Sequence, residues 1–105
     1  MIKAEDLFVL QELAKVSNLA FKHKIVHYLY FQKRSNASTA VRNSRRSGFE
    51  AESGLSVDRS NWQVLIKHQV IPTEEEIDLA IKRMEQLTEK YSGQYDGWEI
   101  GVIPK

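Results

Sequence analysis

Three histidines and a short run of acids and aromatics near the carboxyl end are the residues whose types could carry chemistry. His23 and His27 stand four apart, the spacing at which two imidazoles on one helix face share a zinc ion. That motif needs a glutamate after the first histidine, and Lys24 stands there. The pair also straddles an expected junction of helix and strand, so no metal is expected. His68 falls in an expected strand with no partner in sequence and reads as a surface or half-buried residue. Asp96 and Glu99 could pair as acid and base, but on a regular strand residues three apart point to opposite faces. Gly54, Gly97 and Gly101 belong to no phosphate-cradling loop, no serine or threonine occupies a nucleophile elbow, and there is no cysteine. These absences point away from an enzyme and from any cofactor.

Binding chemistry has better candidates. Tyr95-Asp96-Gly97-Trp98-Glu99 is the most distinctive string. Strand alternation puts Trp98, Ile100 and Val102 on one face, under the helices, and Tyr95, Gly97, Glu99 and Gly101 on the other. Two glycines on one face either leave a bare strip where another backbone can approach or merely relieve twist or a bulge in an edge strand. Tyr28 and Tyr30 share one face of an expected strand. They are candidates for packing in the core, for cover by the first helix, or for stacking RNA bases on an open sheet. Against RNA, the basic-glycine-aromatic consensus of RNA-recognition strands is missing from Trp62 to Ile71.

Charge is distributed unevenly along the 105 residues. Leu13 to Phe49 contains no acid and eight bases, whereas the second half is rich in glutamate, and the net charge is only +1. Lys33, Arg34, Arg42, Arg45 and Arg46 are therefore candidate contacts for RNA or an acidic partner. The simpler expectation is that basic and acidic elements lie side by side and neutralise each other.

The elements that must position these residues follow from periodicity. Thr73 with Glu76 three residues on is a capping box. Ile77, Ala80, Ile81, Met84, Leu87 and Tyr91 then form one stripe, so a helix runs from Thr73 to Tyr91. Gly93 ends it, and a strand through Ile103 follows. Upstream, Glu5 to Lys22 reads as a helix with a broad apolar face. Ile25 to Phe31 reads as a strand apolar on both faces, hence central. A helix over 36–47, capped by Ser35 and stopped by Gly48, precedes a hairpin of Phe49–Val57 and Asn61–Ile71 with its turn at 58–61.

After the first helix the order is strand, helix, strand, strand, helix, strand. This predicts an α+β fold: a ferredoxin-like βαββαβ four-stranded antiparallel sheet in the order 4-1-3-2, with an extra N-terminal helix. The expected division is residues 1–24 for that helix and 25–105 for the ferredoxin-like domain. One sheet face is left open, to be covered by the first helix or by a second copy of the chain in a homodimer. No apolar run reaches the ~20 residues needed to span a bilayer, and the acids at Glu5 and Asp6 do not suit a secretory leader, so the expected location is cytoplasmic.

The helix end Met84-Glu85-Gln86-Leu87-Thr88-Glu89-Lys90-Tyr91, then Gly93 and Tyr95-Asp96-Gly97-Trp98-Glu99, resembles the carboxy-terminal signature of the regulator of ribonuclease activity B family, the ribonuclease E inhibitors. Val26-His27-Tyr28-Leu29-Tyr30-Phe31 and the turn at Gly48 are similar to the family's first strand and following helix end, so the resemblance covers roughly residues 25–103. It implies a ferredoxin-like domain that binds the bacterial endoribonuclease E and reduces its cleavage of messenger RNA without catalysis. Tyr95 to Glu99 with Tyr28 and Tyr30 would then be partner-binding residues. The family's characterised inhibitors are strongly acidic, whereas this chain is near neutral, which implies a different charge match or a different partner. Direct binding of single-stranded RNA through the sheet and the basic first half is the alternative. A small-ligand sensor or an interaction domain of another pathway rests on fold analogy alone.

Overall fold

The computed structural model describes all residues, 1–105. Helix α1 (Ala4–Val16) precedes β1 (His23–Phe31), α2 (Arg34–Arg46), β2 (Glu50–Leu55), β3 (Trp62–Val70), α3 (Glu74–Lys90) and β4 (Gly93–Ile100). The strands form one sheet in the order β2-β3-β1-β4, antiparallel at every junction. The expected ferredoxin-like fold with its strand order is thus present.

Local chemistry explains most of the boundaries. The Thr73 side chain accepts a hydrogen bond from the Glu76 N–H at 3.1 Å, satisfying one of the free donors at the start of α3. Gly48 ends α2 with φ +92°, a backbone state that costs glycine nothing. Ser35 does not cap α2. The helix begins one residue earlier and its flanking residue, Lys33, offers no side-chain acceptor. The first helix is shorter than its apolar pattern suggests, ending at Val16. There Ser17 leaves the helix to bridge Pro104 and becomes buried.

β1 is the spine of the molecule. His23, Ile25, His27, Leu29 and Phe31 alternate inward and are all buried, while Val26, Tyr28 and Tyr30 face the other way and are only partly covered. Leu29 and Phe31 pack with Val64 and Ile66 of β3, Ala37, Ala40 and Val41 of α2, and Met84 of α3. Each of the larger side chains here contributes about 1.5–3 kcal/mol through its removal from water, and each alanine less.

α1 does not cover the open face. Leu10 and Leu13 pack with Ile25, Ile77 and Ile81, and Trp98 and Ile100 join them, so all three helices lie on the same side of the sheet. The reason is the inward row of β1: at its amino end α2 no longer covers Ile25, and α1 supplies the missing cover beside α3. The other face of the sheet therefore meets solvent, and Tyr28 and Tyr30 lie on it rather than in the core.

Candidate functional site

The Tyr95–Glu99 string sits where β4 pairs with β1, and its geometry is set by a β-bulge. Leu29 pairs with Tyr95 but His27 pairs with Trp98, so Asp96 and Gly97 together oppose Tyr28. Gly97 has φ +96°, which explains the glycine at this step.

The extra residue changes which side chains share a face. Tyr95 and Trp98 both point under the helices, against the inward row of β1, instead of to opposite sides as simple alternation requires. Glu99 pairs with Val26 on the open face. Asp96 lines a polar depression with Tyr30, Gln94 and Asn61, so both carboxylates belong to the solvent side. Val102, expected in line with Trp98 and Ile100, lies beyond the end of β4 and is exposed.

Beneath this surface lies a chain of polar groups that links three strands. The Tyr95 hydroxyl is 2.9 Å from His27 Nδ1, and His27 Nε2 is 2.9 Å from His68 Nε2. Phe49 meets the His68 ring edge-on, with centroids 5.1 Å apart. Burial holds His27 far below the ordinary histidine range, at about 3, with the neighbouring His68 adding to the shift. His68 is shifted down too, first by burial. Burial pushes the Tyr95 hydroxyl up, so it stays protonated. The facing nitrogens of His27 and His68 share one proton, so they cannot both be protonated there. The outward appearance of His68 in sequence hid this network. Its trace was the placement of His27 on the same alternating row as Ile25, Leu29 and Phe31.

His23 and His27 do not converge. In the neutral ring, His23 Nδ1–H donates to the Phe21 carbonyl at 2.8 Å and Nε2 accepts from the Ser17 hydroxyl at 2.6 Å. Trp98 Nε1–H donates to Asp6 of α1 at 2.8 Å, a contact across 92 positions that ties the signature to the first helix.

On the open face Tyr28 donates its hydroxyl to Glu99 at 3.1 Å, and this bond is the first cause of its raised pKa. The Tyr30 hydroxyl accepts from Gln63 Nε2 at 2.9 Å. Partly covered phenols beside exposed carboxylates on a sheet face suit recognition of donors on a partner surface.

The basic candidates lie elsewhere. Arg34, Arg42, Arg45 and Arg46 are on the outer side of α2, which packs on the helix side of the sheet, away from Tyr28 and Tyr30. The arginines and the tyrosines are therefore not brought together. Arg34 lies over the Trp62 ring, 5.3 Å from its centroid, and Arg45 Nε donates to the Ala51 carbonyl at 3.0 Å. None of the α2 arginines, nor Lys33, joins a salt bridge; the ion pairs formed are Met1 and Lys82 with Asp78, Lys3 with Glu85, Lys15 with Glu12 and Lys67 with Glu52. The expected mutual neutralisation does not extend to α2. No helix is long and apolar enough to cross a membrane.

Comparison with known proteins adds one finding. The family model described as regulator of ribonuclease activity B matches residues 3–100, and so takes in α1 as well as the four strands and the bulge. Among proteins of curated function none matches the chain. A match over nearly the whole length, on a fold carrying the Tyr95–Glu99 string at its sheet edge, shows that the chain belongs to the regulator of ribonuclease activity B family.

Proposed function

We propose that the protein is a cytoplasmic, non-enzymatic regulator that binds an endoribonuclease of the E type and reduces its cleavage of RNA. The observation that carries the reading is the family match across residues 3–100. The open sheet face supports it: Tyr28, Tyr30, Asp96 and Glu99 lie together around the bulge on the side that no helix covers. Asp96, Gly97 and Glu99 touch the partner, with Tyr28 and Tyr30. Tyr95 and Trp98 act from behind, holding β4 on β1 and α1.

The test is a cleavage assay with purified endoribonuclease E and a structured RNA substrate, read with and without the protein, together with co-elution of the two proteins. Expected are slower cleavage and a stable complex, both weakened by Asp96→Lys with Glu99→Lys. Unchanged cleavage and separate elution at micromolar concentrations would overturn the assignment.

A further inference from the structure

The two edges of the sheet differ in a way that matters for binding. β4 carries the bulge at Asp96–Gly97, a feature that discourages pairing with another strand. β2 has neither bulge, proline nor lysine. The Ser56 N–H bonds the Asn61 carbonyl at 2.8 Å, and in an antiparallel ladder bonded and outward residues alternate. Glu50, Glu52 and Gly54 therefore bond β3, whereas Ala51, Ser53 and Leu55 turn their N–H and C=O groups away from the sheet. Arg45 occupies the Ala51 carbonyl, and the groups of Ser53 and Leu55 face solvent.

Charge flanks this free edge on both sides. On the helix side Arg34, Arg42, Arg45 and Arg46 fall within an arc of about 120° on a helix that contains no acid, and none is in an ion pair. Arg42, Arg45, Ser38 and Ser53, together with Val41 and Glu52, line one groove between α2 and β2. On the open side stand Glu50 and Glu52, the latter in an ion pair with Lys67 at 3.4 Å. We propose that the β2 edge takes up an extended segment of a protein partner as a fifth strand, with carboxylates on the helix side of that segment and neutral or basic side chains on the other. The proposal rests on the protein-binding reading above but not on the partner being a nuclease. Leu55, 43 % exposed, supplies an apolar contact at the end of the edge. A nucleic acid would use the arginines alone and leave the backbone donors of Ser53 and Leu55 unused; the alternation of charge across the edge favours a peptide.

Fluorescence anisotropy of the full chain with a labelled peptide of about eight residues, alternating Glu and Thr, tests this. The glutamate amides are the ones that pair with Ser53 and Leu55, so the same peptide N-methylated there keeps its charge and loses the ladder. Expected are binding of the parent peptide, a loss of at least about tenfold on N-methylation, a similar loss with Gln for Glu or with Arg42→Glu, and slowed hydrogen exchange at Ser53 and Leu55. Equal binding of the parent and methylated peptides, no binding of either, or binding of oligouridylate without slowed exchange at the edge would each overturn it. Failure of the parent peptide to bind the unaltered chain, while that chain still slows the nuclease, removes the edge proposal and leaves the regulator reading intact.

Discussion

His27 Nε2 and His68 Nε2 face each other across β1 and β3 at 2.9 Å, with one imidazole fully buried and the other half-buried. Unfolding frees His27 to take up a proton at ordinary histidine pH, whereas the folded ring resists until about 3. The unfolded state thus binds more protons between those limits, so stability is full above about pH 6.5 and falls as the pH drops below it. Urea melts from pH 7.5 to 4.5 are expected to show a decline of up to about 1.4 kcal/mol per pH unit from this residue. His27→Gln should flatten that slope. An unchanged slope in the variant would show that other groups cause the acid sensitivity.

Trp98→Ala is expected to cost about 3 kcal/mol in denaturant melts, since it opens the packing between β4, α1 and Ile25. Trp98→Phe keeps most of that packing and strands the Asp6 carboxylate, at about 1 kcal/mol. A loss under about 1 kcal/mol for the alanine variant would place the indole outside the core.

Two glycines near β4 should fail for different reasons. At Gly97 there is open space but φ is +96°, so Gly97→Val strains the backbone by about 1–2 kcal/mol while Gly97→Asn is tolerated better. At Gly93 an added methyl would lie 2.8 Å from the Tyr30 carbonyl oxygen and clash with the Phe31 ring edge at Cδ1 and Cε1, and overpacking of about 1–3 kcal/mol follows for Gly93→Ala. Thermal melts of the three variants separate conformational strain from steric clash.

Tyr28→Phe removes an exposed hydroxyl and should change stability by less than about 0.5 kcal/mol. Glu99→Gln should lower the Tyr28 pKa toward the ordinary tyrosine value, because the carboxylate favours the protonated phenol. NMR titration of ring-labelled tyrosine reads this directly. An unmoved pKa would show that the pair does not form in solution.

The parts of the fold that were legible in the sequence are those decided locally or by element order. The Thr73–Glu76 cap, the stripe of α3, the central place of β1 and the crossover pattern suffice for the architecture, whereas the apolar residues on both sides of β1 hid which row faces the core. What could not be read depends on distant partners. A bulge is one of the two readings of the glycines, but its position depends on the register of β4 on β1; it reversed the facing of Tyr95 and brought Asp96 to the same side as Glu99. The docking of α1 depends on Ile25, Ile77 and Ile81, three positions that no local window joins. The His68 network spans 41 positions to His27 and 68 from there to Tyr95.

Ser17 accepts the Ile103 N–H at 2.8 Å and the Asn18 N–H reaches the Ile103 carbonyl at 2.7 Å, so the exit of α1 is fastened to the tail after the last strand. The segment 101–105 thus works as a buckle. Cutting the chain after Ile100 would leave every strand intact and loosen the exit of α1 at Ser17 and Asn18, while Leu10, Leu13 and Asp6 keep the helix body in place.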